Sequence, residues 1–229
     1  MILSHKHKFI FIKTQKTAGT SIEVFLSPHC GEEDVVTPIW PHVEPHQARN
    51  YKGFTLPVLD VLASGGRGVR GLLKNWRMGN RFYNHMPAWL VRRRVPRSVW
   101  DGYFKFCVER NPWDKTLSHY HMARHRSDQD LSLDEFMARG KFPLNHPIYT
   151  DPSTGKVLVD RVLRYENLDQ ELGRVCEELG IPWPGSLRVK AKGAYRGERK
   201  PYDQVLTPEQ AKVIENAFEK EIQLHGYVF

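Results

Sequence analysis

Two short polar segments carry the residues of this chain best suited to binding phosphate-like groups, and each directly follows an apolar run. The first segment comes after the β-branched and aromatic run at residues 8–12 and precedes apolar residues at helical spacing. A loop between a strand and a helix presents backbone N–H groups and a helix N-terminus to an anion. Gly19 lets the backbone approach a ligand, and Lys16 supplies a point charge. The segment contains Lys16, Thr17, Ala18, Gly19, Thr20 and Ser21.

The sequence of this loop departs from that of an ATP-hydrolysing P-loop. Such a loop requires the pattern G-x-x-x-x-G-K-[ST]. The first glycine is missing here, and Lys16 precedes Gly19 instead of following it. A magnesium-dependent nucleotide kinase is therefore disfavoured. A capped helix with a chance lysine remains the alternative interpretation of the loop.

The second polar segment follows the apolar run at residues 103–108. Asn111 is a good N-cap, Pro112 suits the first helical position, and Asp114 at the third complements the helix dipole. The sequence therefore predicts another strand–turn–helix unit, with Arg110 at the end of the strand and Ser118 two turns into the helix. Their ordinary alternatives are a surface salt bridge for Arg110 and a plain helix hydroxyl for Ser118.

The remaining pattern alternates strands with helices. Capping boxes start helices at Ser132 and Thr207, and the second is expected to run as one helix through Ile214, Phe218 and Ile222 to Gly226. A helix is also expected at residues 168–179, and one or two strands at 157–165. Residues 28–100 are rich in Pro, His and Gly and are expected to be irregular, forming an acceptor cleft. The predicted fold is α/β: a single domain over residues 1–229 with a central, mostly parallel sheet flanked by helices and a P-loop-like strand–loop–helix at the N-terminus.

The positive charge is concentrated in two stretches. The chain has 34 Lys and Arg against 26 Asp and Glu, a formal charge of +8. Residues 67–110 contain eleven basic and two acidic residues, and residues 188–200 contain six basic and one acidic residue, so the remainder is mildly acidic. Such clusters attract polyanions or multiply charged small anions, although a solvated basic face is the simpler explanation.

The two polar segments, at residues 16–21 and 110–118, resemble motifs of a known protein superfamily. The run K-T-A-G-T-S at residues 16–21 looks like the 5′-phosphosulfate loop of sulfotransferases, closest to the carbohydrate 2-O-sulfotransferases and their bacterial relatives. The run R-N-P-W-D at residues 110–114, followed by Ser118, resembles the 3′-phosphate motif of the same superfamily. Residues 195–202 and 226–229 are also similar to that superfamily. One departure is Gln15, where relatives often carry proline.

The resemblance implies a donor, 3′-phosphoadenosine 5′-phosphosulfate (PAPS), with PAP as product and no metal. Residues 16–21 would hold the 5′-phosphosulfate, and Arg110 with Ser118 would hold the 3′-phosphate. The basic stretch near the C-terminus would cover the nucleotide, with Lys192 and Arg196 as the expected contacts. The acceptor would be a hydroxyl, favoured to belong to a carbohydrate and compatible with an anionic one.

A base is needed to take the proton of that hydroxyl, and histidine suits the task. His85 resembles the histidine of the H-x-x-A element that serves as base in this group, although a structural or substrate-positioning histidine is the alternative. Lys16 is the other expected catalytic residue. Glu44, His46 and Glu109 are the fallback bases, and Glu109 is more simply explained by pairing with a basic neighbour.

The sequence also contains features of two other classes of function, nucleic-acid binding and metal binding. Arg92–Arg94 with nearby aromatic residues would suit a nucleic-acid- or polyanion-binding module without catalysis. His121 and His125 are spaced to share a helix face, but no third metal ligand is evident. Three scattered cysteines indicate neither a disulfide framework nor a zinc cage, and no apolar run is long enough to span a membrane. We therefore expect a cytoplasmic protein.

Overall fold

Five short strands form the sheet at the centre of the molecule. The computed structural model describes residues 1–63, 69–126, 130–187 and 200–229. Within these ranges the sheet order is β3-β1-β2-β4-β5. The strands are β1 (Ile2–Ser4), β2 (Phe9–Phe11), β3 (Val35–Val36), β4 (Phe104–Glu109) and β5 (Arg161–Arg164).

The sheet is mostly parallel, as the sequence predicted. β2 pairs with β4 and β4 with β5 in parallel, with Phe11 opposite Phe106 and Cys107 opposite Val162. β1 is antiparallel to both β2 and β3, so four of these five strands point the same way. The sequence analysis identified the strands that now form β2, β4 and β5 but neither β1 nor β3, which are only three and two residues long.

Helices flank the sheet and supply the loops of the site. In the described residues they are α1 (Gly19–Leu26), α2 (Pro57–Ala63), α3 (Val69–Arg77), α4 (Ala88–Arg94), α5 (Arg97–Gly102), α6 (Pro112–Arg126), α7 (Leu133–Ala138), α8 (His146–Tyr149), α9 (Leu168–Glu178), α10 (Pro208–Ala217) and α11 (Glu219–His225).

The alternation of side chains along the strands divides the core between the two faces of the sheet. Phe9 and Phe11 of β2 pack with residues of α1 and α9 on one face. Ile10 and Ile12 point the other way and pack with residues of α4, α5 and α8. A third cluster joins α6, α7 and α10 around Trp113. These three clusters fix α1 and α6, the two helices that follow the predicted anion-binding segments.

Two expectations about secondary structure were wrong. The segment 28–100 is not irregular throughout, because α2, α3 and α4 lie within it and α5 begins there. Its helices are only six to nine residues long, so each offers little periodicity to detect. The C-terminal helix is divided at Phe218, whose side chain is fully buried between α10 and α11.

The capping signals were confirmed. Ser132 and Thr207 both accept the bond from the third helical residue and complete a capping box. Asn111 accepts from the backbone N–H groups of Trp113 and Asp114 at 3.1 and 3.2 Å, which caps α6 as expected.

The three cysteines are buried thiols, and burial raises the pKa of Cys30 and Cys176 to about 12. No described helix combines the length and apolar character needed to cross a membrane.

Candidate functional site

A cleft of about 870 Å³ is lined by the segments that directly follow β2, β4 and β5. Loops at the carboxyl ends of parallel strands are the usual place for ligand sites in α/β sheets. Both anion-binding segments predicted from the sequence meet here, although almost ninety residues separate them along the chain. The predicted site residues that line this cleft are Lys16, Thr17, Ala18, Gly19, Thr20, Ser21, His85, Arg110 and Ser118.

The loop between β2 and α1 has the backbone form of an anion-binding turn. Lys16 and Ala18 both have left-handed backbone conformations, with φ of 61° and 56°. Left-handed residues that alternate with ordinary ones turn successive N–H groups toward a common concavity. The hydroxyl of Thr14 donates to the Val108 carbonyl at 2.5 Å and bonds the Thr17 hydroxyl at 2.8 Å. These bonds attach the loop to the end of β4.

Gly19 is required by a neighbouring side chain. A Cβ atom at this position would lie 2.7 Å from Cγ of Lys13. The Lys13 side chain crosses the start of α1 here, and its Nζ meets Oε2 of the fully buried Glu23 at 2.5 Å. The sequence analysis predicted that Gly19 admits a ligand; the structure shows that the missing side chain also makes room for Lys13.

A buried amide attaches the same loop to the rest of the protein. Oδ1 of Asn145 accepts from the Gln15 backbone N–H at 2.8 Å, and Nδ2 donates to the Gln15 carbonyl at 3.1 Å. Nδ2 also donates to Oε1 of Glu109 at 3.1 Å. Asn145 is completely buried. Sequence reasoning missed this residue, because a lone asparagine 130 positions away carries no local signal.

Arg110 is held at the edge of the cleft by three neighbours. Its Nε and Nη2 donate to Oδ2 of Asp114 at 2.8 and 2.6 Å, and Nη1 donates to the Lys16 carbonyl at 3.1 Å. Its guanidinium carbon lies 4.1 Å from the centre of the Tyr165 ring. A guanidinium has five N–H donors, of which these contacts within the described chain use three. Arg110 thus links the two anion-binding segments directly.

Lys16 and Ser118 both line the cleft, and the side chain of Lys16 reaches α6. Nζ of Lys16 is 3.5 Å from Sδ of Met122 on α6, one turn beyond Ser118. Ser118 is half-buried on α6. Arg110 ends β4 and Ser118 lies about two turns into α6, so one phosphate could meet both side chains only if the helix folds back beside the end of the strand. In this structure both residues line the same cleft.

His85 reaches the cleft from the segment between α3 and α4. Its backbone is left-handed, with φ of 56°, and its Nδ1 lies 3.1 Å from the Lys13 carbonyl oxygen. A carbonyl oxygen only accepts, so Nδ1 carries the proton and Nε2 keeps its lone pair when the ring is neutral. Burial, and then the positive charge of Lys13, lower the pKa of His85 from 6.5 to about 4. The ring is therefore neutral near pH 7.

The fallback bases lie outside the lining of this cleft. Glu109 is fully buried and forms an ion pair of 2.6 Å with the equally buried Lys115. His46 is also fully buried. Glu44 is 77% exposed and contacts His42 at 3.5 Å. The local pairing expected for Glu109 is thus present, with Lys115 as its partner.

Several lining residues were not singled out from the sequence. Tyr165 and Glu166 follow β5, a strand whose following loop carried no motif. Arg126 ends α6, and Lys200 and Tyr202 belong to the C-terminal segment. Lys200 was part of the second basic stretch, and both Lys200 and Tyr202 fall in the stretch at residues 195–202 that resembles the superfamily. Lys192 and Arg196 lie outside the described residues.

The histidines on α6 do not form a metal site in the described chain. His121 lines the cleft, and His125 lies one turn further along α6. Among the residues that the structure describes, no group of three or more His, Cys, Asp or Glu side chains is placed to hold a metal ion.

The chain is similar in sequence to a protein whose activity is not described. No protein-family model matches the chain. It is 41% identical over 108 residues to an uncharacterized protein of Archaeoglobus fulgidus, a match that covers 45% of this chain and 90% of the archaeal protein. The chain belongs to the same family as that protein. A crystal structure of a sulfotransferase from Alicyclobacillus acidocaldarius aligns over 94% of this chain and 95% of that one, with 18% identity and a TM-score of 0.44. A similarity of this level does not by itself indicate a shared activity.

Proposed function

We propose that this protein is a sulfotransferase that moves a sulfuryl group from PAPS to a hydroxyl acceptor, with a carbohydrate as the favoured acceptor. The observation that carries the proposal is that both anion-binding segments and His85 line one cleft. A cleft of about 870 Å³ falls within the range usual for small-molecule and cofactor sites. The resemblance of residues 16–21 and 110–118 to the two phosphate motifs specifies the donor.

The donor would lie in the cleft with its 5′-phosphosulfate at the loop after β2 and its 3′-phosphate at the start of α6. The loop at residues 16–21 would hold the 5′-phosphosulfate through backbone N–H groups and the Lys16 ammonium. Arg110 and Ser118 would hold the 3′-phosphate. Asp114 and Tyr165 orient the Arg110 guanidinium in advance, so little side-chain entropy is lost when the phosphate binds.

Transfer would proceed by in-line displacement at sulfur. The acceptor oxygen forms a bond to sulfur as the bond between sulfur and the bridging oxygen of the donor breaks. The acceptor proton passes to Nε2 of His85, the nitrogen left with a lone pair by the bond from Nδ1 to the Lys13 carbonyl. The electron pair of the broken bond remains on the 5′-phosphate, where Lys16 offsets the developing charge.

The basic residues near His85 in the sequence support an acidic carbohydrate as the acceptor. The basic stretch at residues 67–110 contains His85 and holds more positive charge than one PAPS molecule requires. An acidic carbohydrate would use that surplus.

A ligand test and a transfer test together decide the proposal. PAP should raise the melting temperature, because a ligand that binds only the native state stabilises it. Sulfate from labelled PAPS should then appear on at least one member of an oligosaccharide panel. Absence of a shift at millimolar PAP, together with a clear shift from single-stranded DNA, would overturn the enzyme in favour of a binding module. A shift that requires ATP and magnesium would instead favour a kinase.

A further inference from the structure

The exposed apolar side chains of this protein are concentrated on one surface. Of the fourteen large hydrophobic residues that are substantially exposed in the described chain, eight lie between residues 40 and 78. Phe54 is 82% exposed, Leu62 71% and Val58 67%. We define the α2–α3 apolar surface as Phe54, Val58, Leu62, Leu73, Trp76 and Met78. Single exposed apolar residues are ordinary, but a cluster of this kind marks an interaction site.

This surface is one continuous element. α2 packs against α3. Lys52 and Asn80 form an antiparallel bridge, and the Gly53 N–H donates to the Gly79 carbonyl at 3.0 Å. The segment that leads into α2 therefore runs beside the segment that leaves α3. This pairing brings the backbone at position 54 close to that at position 78, at the base of the two packed helices.

The surface is also fixed to the body of the protein. Asp60 of α2 is buried and forms an ion pair of 2.5 Å with Arg94 of α4. Leu72 of α3 is buried in the core cluster on that face of the sheet. Because buried groups hold both helices, their exposed apolar sides belong to the folded structure.

The α3 helix combines an apolar sector with a basic one. At about 100° per residue, the exposed Leu73 and Trp76 lie about 60° apart on α3, and the buried Leu72 lies on the other side of Trp76. Arg70, Lys74 and Arg77 occupy the neighbouring sector and are exposed. A basic amphipathic helix with an exposed tryptophan is typical of segments that lie in the interface of an anionic membrane.

The net positive charge around the α2–α3 apolar surface favours some classes of binding partner over others. Residues 47–100 contain eleven Lys and Arg and a single acidic residue, Asp60, which is already paired with Arg94. A second copy of the chain docked on the same surface would oppose basic residues to basic residues. Nucleic acid would match the charge and could stack bases on Phe54 and Trp76, but it would leave the aliphatic majority of the surface, Val58, Leu62, Leu73 and Met78, without a partner. Anionic lipid headgroups match the charge, and the acyl region beneath them accepts the apolar side chains.

We propose that the α2–α3 apolar surface docks onto bilayers that contain anionic phospholipids. The apolar residues would enter the interface, and Arg70, Lys74 and Arg77 would contact lipid phosphates. The protein would then lie on the membrane without spanning it. This inference does not depend on the reaction proposed for the cleft.

Co-sedimentation of the full chain with lipid vesicles tests the inference. Vesicles of phosphatidylcholine alone are compared with vesicles that also contain phosphatidylglycerol, at low and high ionic strength. Binding should be about ten-fold stronger to the anionic vesicles and should fall with salt. The variant with Phe54→Ser, Leu62→Ser and Trp76→Ser should lose about ten-fold in binding at unchanged melting temperature, since these side chains are exposed. Arg70→Glu with Lys74→Glu should weaken binding to anionic vesicles only.

A matched control removes exposed apolar residues elsewhere. Val213→Ser, Leu224→Ser and Val228→Ser should bind vesicles like the unaltered protein. Equal binding by the two triple variants would overturn the proposal, as would absence of binding to anionic vesicles. If the first triple variant instead abolishes a concentration-dependent dimer or binding to a single-stranded oligonucleotide, with no vesicle binding, the surface belongs to that other partner and the proposal fails.

Discussion

The side chain of Asn145 binds the backbone of Gln15 on both of its polar groups. It accepts from the Gln15 N–H at 2.8 Å and donates to the Gln15 carbonyl at 3.1 Å. Gln15 directly precedes Lys16, so this pair fixes the start of the proposed phosphosulfate loop. The sulfotransferases that this loop resembles often carry proline at the position of Gln15. Proline would lack the backbone N–H that donates to Asn145.

Replacement of Asn145 by alanine should loosen this loop. The Gln15 backbone groups would lose their partner in a buried place, which costs about 1–3 kcal/mol of stability. The melting temperature should fall, and the further rise caused by PAP should become smaller. Thermal melts with and without PAP measure both effects. Tyr149→Phe is the control, because it removes another bond to Glu109 without touching Gln15; an equal loss of the PAP effect in both variants would contradict a role for Asn145 in the loop.

Gly19→Ala should destabilise the protein through Lys13. The added Cβ would lie 2.7 Å from Cγ of Lys13, so the lysine must leave its path to Glu23 or α1 must move. Overpacking of this kind costs about 1–3 kcal/mol. Chemical denaturation measures the change. Gly71→Ala, within α3 and with nothing within 4 Å, should be neutral or slightly stabilising; similar losses at both glycines would rule out the steric explanation.

Lys16→Ala should reduce turnover by about 100-fold to 1000-fold, as loss of one group that stabilises developing charge usually does. The fold should be retained, because Lys16 lines the cleft and is not part of the core clusters. Initial rates at saturating PAPS are the measurement. Lys212→Ala, at an exposed pair with Glu215, is the control. Near-normal turnover in Lys16→Ala would remove this lysine from the mechanism.

His85 should give activity an unusually acidic lower limit. Its neutral ring is the proposed base, and burial lowers its pKa to about 4. Activity should therefore persist as the pH falls below 6.5 and decline only near pH 4. His85→Ala should lower turnover by about 100-fold to 10,000-fold at every pH. A pH profile of kcat/KM measures the limit; a decline centred near 6.5, or a His85→Ala enzyme of normal rate, would contradict the assignment.

The same histidine should contribute to the pH dependence of stability. The unfolded chain binds a proton at His85 below about pH 6.5, whereas the folded chain does so only below about 4. The free energy of unfolding should therefore fall as the pH drops through this window, by about 3 kcal/mol for this residue. His85→Gln, which does not titrate, should show a shallower decline in denaturation at pH 7 and pH 4.5. Parallel declines in the two proteins would show that His85 titrates normally.

Arg110→Ala should act on donor affinity more than on turnover. The guanidinium would hold the 3′-phosphate, away from the reacting sulfur. Loss of a charge-assisted contact should weaken PAP binding by about 10-fold to 100-fold. Titration calorimetry with PAP provides the measurement. Arg161→Ala, which breaks an exposed ion pair with Glu178, is the control and should leave the affinity unchanged; unchanged affinity in Arg110→Ala would place the phosphate elsewhere.

Local sequence patterns were sufficient to predict the strands and the helix whose loops line the candidate site. The apolar runs before Lys16 and Arg110 predicted β2 and β4, and Asn111 capped α6 as expected. The short helices α2 to α5 were missed, because helices of six to nine residues contain too few turns for a clear period. Their stability comes from packing, as the buried bond between Asp60 and Arg94 illustrates.

The sequence by itself determined the strand–loop–helix order and singled out the two polar segments and the histidine that line the cleft. Those features depend on residue type and short spacing, which local backbone and capping preferences control. Only the tertiary structure decided that Arg110 would donate to the Lys16 carbonyl, that Lys13 would cross Gly19, and that Asn145 would hold Gln15 from 130 residues away. Such contacts depend on how strands pair and helices pack, and no local pattern of residues encodes a partner at that distance.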